Sequence, residues 1–180
     1  METLNTFLEV IEGTRDLLSE ARTRLAGLPP KQQGRIKSAL AEIDAANLVL
    51  GEADKHTRGG LTIFATRKEA AELEKAATKA RKEANKAKGT EEEEGKAEAA
   101  TQAETAAKDM ATAANRLSKG VDPVRSSLRN AVRMVKDANE AAQRTRLTDA
   151  TQIEIHILNE VRQKTERAAK KIRYCINIMW

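Results

Sequence analysis

Aromatic residues are scarce in this chain: Phe7, Phe64, Tyr174 and Trp180 are all it has. A core without such anchors buries less apolar area per residue, each Å² being worth about 25 cal/mol. Stability must then come from long contacts and close approach between elements. Cysteine is scarcer still. With Cys175 alone, an intramolecular disulfide and any cysteine-based metal cage are excluded. Set beside Tyr174, Ile176 and Ile178, it reads as a buried apolar residue. The three prolines, Pro29, Pro30 and Pro123, suit helix ends rather than interiors. No apolar run approaches the roughly 18 residues of a membrane-spanning helix. Met1-Glu2-Thr3-Leu4 offers no basic region followed by an apolar stretch, so no secretory signal is expected and a cytoplasmic location is the default.

What is present is alanine and charge. Charged residues make up 33% of the chain, and with Ala, Glu, Lys, Leu and Arg predominating this is the profile of long helices, not sheets. Ala99, Ala103, Ala106, Met110, Ala113 and Leu117 step by four and three residues in turn, the spacing of a seam in left-handed helix packing. The net charge of +5 is uneven: residues 121–180 hold twelve Lys/Arg against seven Asp/Glu. The first two thirds are close to neutral.

The pattern predicts an all-α, antiparallel bundle of about six helices in three hairpins, forming a single domain over residues 1–180. The first hairpin covers 1–58. Leu4, Phe7, Ile11, Thr14, Leu18, Ala21 and Leu25 line its first helix, and Gly27-Leu28-Pro29-Pro30 ends it. Ile36, Ala39, Ile43, Ala46, Leu50 and Ala53 line the second, with Leu40, Leu48 and Val49 widening that face for a further neighbour. His56 to Gly60 should then break the helix, and Leu61 to Phe64 should form an extended connector. Thr66 and Glu69 have the spacing of a capping box that opens a third helix.

An alanine-rich, coiled-coil-like middle hairpin is expected over 66–119, with Leu73, Ala76, Ala80, Ala84 and Ala87 facing its partner and an acidic, solvated tip at 89–95. The third hairpin, 121–180, is basic and ends in an apolar C-terminal tail. Asp122 and Pro123 start its first helix as cap and first residue. Val121, Val124, Leu128, Ala131, Val135, Ala138 and Ala142 carry the heptad onward. A turn at 145–149 follows, with Asp149 and Gln152 as a capping pair. Leu158, Val161, Thr165, Ala168, Ile172, Cys175 and Met179 line the last helix.

No catalytic constellation emerges. His56 and His156 stand a hundred residues apart, and neither has Glu three positions before it, as a di-metal carboxylate bundle would require. Arg58-Gly59-Gly60 follows a helix and leads into Leu61, so it lacks the strand and the Gly-Lys-Ser/Thr of a phosphate loop. No catalytic residue, metal ligand or cofactor is expected.

Two features remain as candidate sites. Arg125, Arg129, Arg133 and Lys136, with Lys164, Arg167 and Lys171, would place seven cations on one side of the last hairpin, a stripe suited to phosphates. Asp137, Glu140, Glu160 and Glu166 interrupt it, and no stacking aromatics accompany it. Ile176, Ile178, Met179 and Trp180 form an apolar end where chain termini usually fray. They either dock in the protein's own core or serve as a recognition peptide for a partner; contact with a membrane surface ranks last. The sequence therefore reads as a non-enzymatic helical interaction, scaffold or assembly protein, whose partner is another protein or a second copy. The alternative is a helical protein that binds nucleic acid without sequence preference through those seven cations.

Overall fold

The computed structural model describes residues 2–89, 92–117 and 121–179, with side chains over 3–89, 92–115 and 122–175. Among these residues every element is helical, and there are five α-helices rather than six: α1 (Glu2–Ala26), α2 (Gln33–Lys86), α3 (Glu93–Leu117), α4 (Val121–Arg144) and α5 (Gln152–Met179). A short 3-10 turn, Pro30–Gln32, precedes α2. Instead of one bundle, the chain divides into two compact units, Met1–Arg58 with Asp122–Trp180, and Gly59–Val121.

The missing helix is the one expected to begin at Thr66. α2 runs unbroken through His56 to Phe64, so the extended connector does not form. Three local contacts mark the continuity. The Thr66 hydroxyl, expected to cap a new helix, donates instead to the Thr62 carbonyl one turn back at 2.9 Å. Thr57 does the same to Ala53 at 2.7 Å. Arg58 pairs with Asp54 at 3.0 Å across one turn. Gly59 and Gly60 cost about 1 kcal/mol each inside a helix, a penalty that a long helix already nucleated on one side absorbs. What the sequence showed as a break is a slip of register. Thr57, Gly60, Ile63 and Thr66 are covered at three successive steps of three, a shift of the covered face that does not end the helix.

The first unit is a four-helix bundle with each helix antiparallel to its neighbours. α1 lies against α5, where Glu20 pairs with Lys164 and Arg24 pairs with Glu160. α5 lies against α4, where Thr165 donates to Asn139 at 3.2 Å and Arg162 reaches the Ala142 carbonyl at 3.3 Å. Arg22 and Asp44 tie α1 to α2. Among the described side chains, the heptad positions expected of α1, the first part of α2, α4 and α5 are the core: Ile11, Leu18, Leu25, Ile36, Ile43, Leu50, Leu128, Val135, Val161 and Ile172 are fully buried, while those of Val121 and Met179 lie outside the described residues. Thr14 fills its heptad place with its hydroxyl turned back to Val10 at 2.6 Å. Cys175 is buried as expected, and desolvation pushes its thiol up to about 12. Leu48 departs from expectation, being 69% exposed on the outer face of α2.

At one end of this bundle, polar groups replace the apolar core. Gln32, fully buried, donates to the Thr148 carbonyl at 2.8 Å and accepts from the Thr148 N–H at 3.3 Å. Thr151 and Glu154 form the capping box of α5: the Thr151 N–H meets Glu154 Oε2 at 2.9 Å, and the Glu154 N–H meets Thr151 Oγ1 at 3.2 Å. Asp149 and Gln152 were the expected pair. Asp149 instead turns the chain at φ 45°. Lys31 closes the group, with Nζ 3.3 Å from Glu154 Oε1 and 3.0 Å from the Asp149 carbonyl.

The second unit is a two-helix hairpin made by the last part of α2 and by α3. Its turn uses Gly89 at φ +79°, a conformation that favours glycine, and the Gly89 N–H donates to the Glu93 carboxylate at 2.7 Å. α3 begins three residues earlier than expected, so Glu93 and Glu94 form its first turn, where the helix dipole favours negative charge.

Candidate interaction surfaces

The seam of the hairpin is built from alanine and keeps most of the expected positions, Leu73, Ala80, Ala84, Ala87, Ala103, Met110 and Ala113 among them, with three moved on by one residue. On α2, Ala77 and Ala87 are buried, with Ala70, Leu73, Ala80 and Ala84 half-buried; Ala76, expected inside, is exposed. On α3, Ala100 and Ala114 are buried, with Ala103, Ala107 and Met110 half-buried. Ala99 and Ala106, expected to face the partner, are exposed. The spacing is unchanged at three and four, so the physical reason is choice of face. α3 carries alanine round more than one helical stripe, and periodicity alone cannot say which stripe α2 covers.

Beside this seam a groove runs along one face of the hairpin. One stretch, of about 340 Å³, is lined by Arg67, Ala70, Ala71 and Glu74 of α2 and by Ala107, Lys108, Ala111 and Ala114 of α3. A second, of about 390 Å³, is lined by Glu74, Ala77, Thr78 and Arg81 with Glu104, Ala107 and Lys108. The two share Glu74, Ala107 and Lys108, so they form one trough with an alanine floor and charged rims. From Arg67 to Arg81 it spans about 21 Å at 1.5 Å per residue. Arg81 and Glu104 face each other across it at 3.8 Å.

The seven cations are divided by the bundle. Arg162 of α5 reaches the end of α4, donating to the Ala142 carbonyl at 3.3 Å and to the Thr145 carbonyl just past the helix at 2.7 Å, so that side of α5 faces α4. Lys164, two residues on, lies well round the helix and pairs with Glu20 of α1. Lys171 lies on α1 as well, its side chain filling the space a Cβ at Gly13 would need. Arg167 is exposed on α5. Arg125, Arg129, Arg133 and Lys136 form a separate exposed stripe on α4, with Lys136 3.5 Å from Glu140. The structure thus brings together the four cations of α4 and carries Lys164 and Lys171 to the seam with α1. Of the tail, the side chains of Ile176, Ile178 and Met179, and all of Trp180, lie outside the described residues.

Two groups that the sequence reading passed over hold the bundle end in place. Arg162 caps the last carbonyls of α4; burial and the nearby Arg146 lower its affinity for its proton. Thr151's backbone N–H holds the Glu154 carboxyl below the usual glutamate range, with Lys31 and Gln32 assisting against the opposing effect of burial. The signal for the second was present as Thr151-x-x-Glu154, a capping-box spacing. A polar groove of about 650 Å³ between α2 and α4 is lined by Arg35, Ser38, Glu42, Asp137, Glu140 and Arg144, among others. Its charges nearly balance. His56 and His156 are both exposed, His156 standing 3.4 Å from Glu160. Among the described residues no helix is long and apolar enough to cross a membrane. Comparison with protein-family models, with curated proteins and with solved structures finds no match for this chain.

Proposed function

We propose that this chain is a non-enzymatic interaction and assembly protein that works through coiled-coil-like helical surfaces, with the trough of the α2–α3 hairpin as its principal contact. One observation carries the reading. A surface helix packed on a single neighbour needs a single apolar stripe. α3 carries its seam against α2 and, on either flank, exposed alanines: Ala97 and Ala111 on one side, Ala99 and Ala106 on the other. Those flanks have the composition of buried helix contacts and no neighbour from their own hairpin. Recognition of a helix laid in a groove is the mode that such a surface supports. In this reading the apolar tail, Ile176, Ile178, Met179 and Trp180, is a further contact.

A photo-crosslinking residue at Ala111, on the groove, should give one recurrent protein adduct in the cells that express the chain, and Ala107→Glu should abolish it. The same probe at Lys79 serves as the outward control. No adduct from Ala111, or an adduct indifferent to Ala107→Glu, overturns the reading. Binding of nucleic acid is the second reading, favoured by the exposed stripe of Arg125, Arg129, Arg133 and Lys136 on α4. It predicts an electrophoretic shift that weakens steeply with salt and is lost when the three arginines become glutamate.

A further inference from the structure

We propose that the trough on the α2–α3 hairpin is covered by a second copy of the same hairpin, and that the charges on its rims specify this pairing; the proposal rests on the reading above and names the partner. Four charges surround one stretch of the trough: Glu74 and Arg81 on the α2 rim, Glu104 and Lys108 on the α3 rim. The helices are antiparallel. Arg81 sits across from Glu104, so moving back along α2 to Glu74 and forward along α3 to Lys108 leads in the same direction. The signs therefore alternate both along each rim and across the trough.

A square of alternating charges is its own complement. A half turn that lays one trough face to face on another, about an axis along the helices or across them, brings each carboxylate toward a cation. This is the condition an isologous contact must meet, since each surface patch faces its own copy. A polyanion would meet two repelling carboxylates in the same square, and a partner of uniform charge would match only half of it.

Arg67, further along the α2 rim, continues the alternation beyond Glu74, and several other charges of the hairpin pair locally. Lys68 pairs with Glu72, Lys79 with Glu83 and Lys96 with Glu92, each with a residue four positions away. Among the described residues, neither Glu74 nor Lys108 has an ion-pair partner in its own chain, and Arg81 meets Glu104 only at 3.8 Å. The floor, Ala77 and Ala107, carries nothing beyond Cβ, which lets an incoming helix approach closely.

The test uses the full chain and two double variants. E74K/E104K makes the square all positive; R81E/K108E makes it all negative. Light scattering of the parent at tens of micromolar should give twice the 19.8 kDa chain mass. Each double variant alone should be monomeric, with helix content by circular dichroism unchanged. An equimolar mixture of the two should recover the doubled mass, and the variant carrying all four changes should pair with itself, because the alternation is restored. A monomeric parent overturns the proposal. So does a dimer that both double variants leave intact, or a mixture that fails to recover it. A monomeric parent whose Ala111 probe still captures a different polypeptide would overturn self-pairing alone and leave the interaction reading standing.

Discussion

The two units obey the same spacing rule and differ in what they put at each position. In the four-helix bundle the seam positions are Ile, Leu and Val with alanine between them, and most are fully buried. In the α2–α3 hairpin the same positions hold alanine almost throughout, and beyond Ile63 at its base the buried residues among those described are Ala77, Ala87, Ala100 and Ala114. Periodicity fixes which residues line a seam; side-chain volume decides whether the seam is a core. Four helices close round large side chains and exclude water by themselves. Two helices joined through methyl groups leave their flanks in solvent, which is why the hairpin is the part expected to find a partner.

The largest effects should separate the units. Ile43→Ala and Leu128→Ala, both at fully buried positions, should each destabilise the bundle by about 2–5 kcal/mol. Ala77→Gly, at the centre of the hairpin seam, removes little buried area and should cost about 1 kcal/mol, chiefly through helix propensity. Hydrogen exchange read separately over the two units checks this. Equal losses would mean that the hairpin is as tightly closed as the bundle.

Next in size is the polar end of the bundle. Gln32→Leu should cost on the order of 1–3 kcal/mol, because the Thr148 N–H and carbonyl lose their partner in a partly buried place. Chemical denaturation measures it. A neutral result would mean that water reaches Thr148 and the glutamine is not a strut.

Glu154 makes the same region pH-dependent. Its carboxyl is held below the usual range, so its contribution is complete above the unfolded value of about 4.3. It is lost as pH falls through the lower folded value. The melting temperature should therefore fall more steeply with acid in the parent than in Glu154→Gln. Parallel melting curves below pH 5 would show that the Thr151 and Lys31 contacts to this carboxylate carry no net stability.

Much of this was legible in the sequence, and the rest failed for identifiable reasons. Every heptad residue named for α1 from Leu4 to Leu25 is buried, as is every one named for the first part of α2. Apolar and polar residues alternate cleanly there, so only one face can turn inward. In the hairpin the rule had the right period and placed most of the seam, but Ala77, Ala100 and Ala107 take the places expected of Ala76, Ala99 and Ala106. With alanine at Ala99, Ala100, Ala103, Ala106 and Ala107, several faces are equally apolar, and the choice among them is tertiary. The break expected at Gly59-Gly60 failed because a penalty of about 1 kcal/mol per glycine is small for a helix already nucleated on one side, and Thr57 and Thr66 bond back along it instead of capping new ends. The single face of seven cations failed because i and i+2 residues of α5 point to different neighbours.

The smallest effect tests that continuity directly. Gly51 and Gly59 both lie within α2, and at both a Cβ would enter open space. Alanine at either should therefore stabilise the chain by about 0.5–1 kcal/mol, through helix propensity and a less flexible unfolded state. Gly51 is the reference, since the helix there is flanked by the buried Leu50 and Ala53. If α2 is unbroken at Gly59, the second substitution should match the first and slow amide exchange over residues 56–64. Were the chain to turn at Gly59, alanine would remove a conformation that only glycine adopts easily. Gly59→Ala would then destabilise while Gly51→Ala still stabilised, and a difference in sign between two such substitutions on one helix would restore the break.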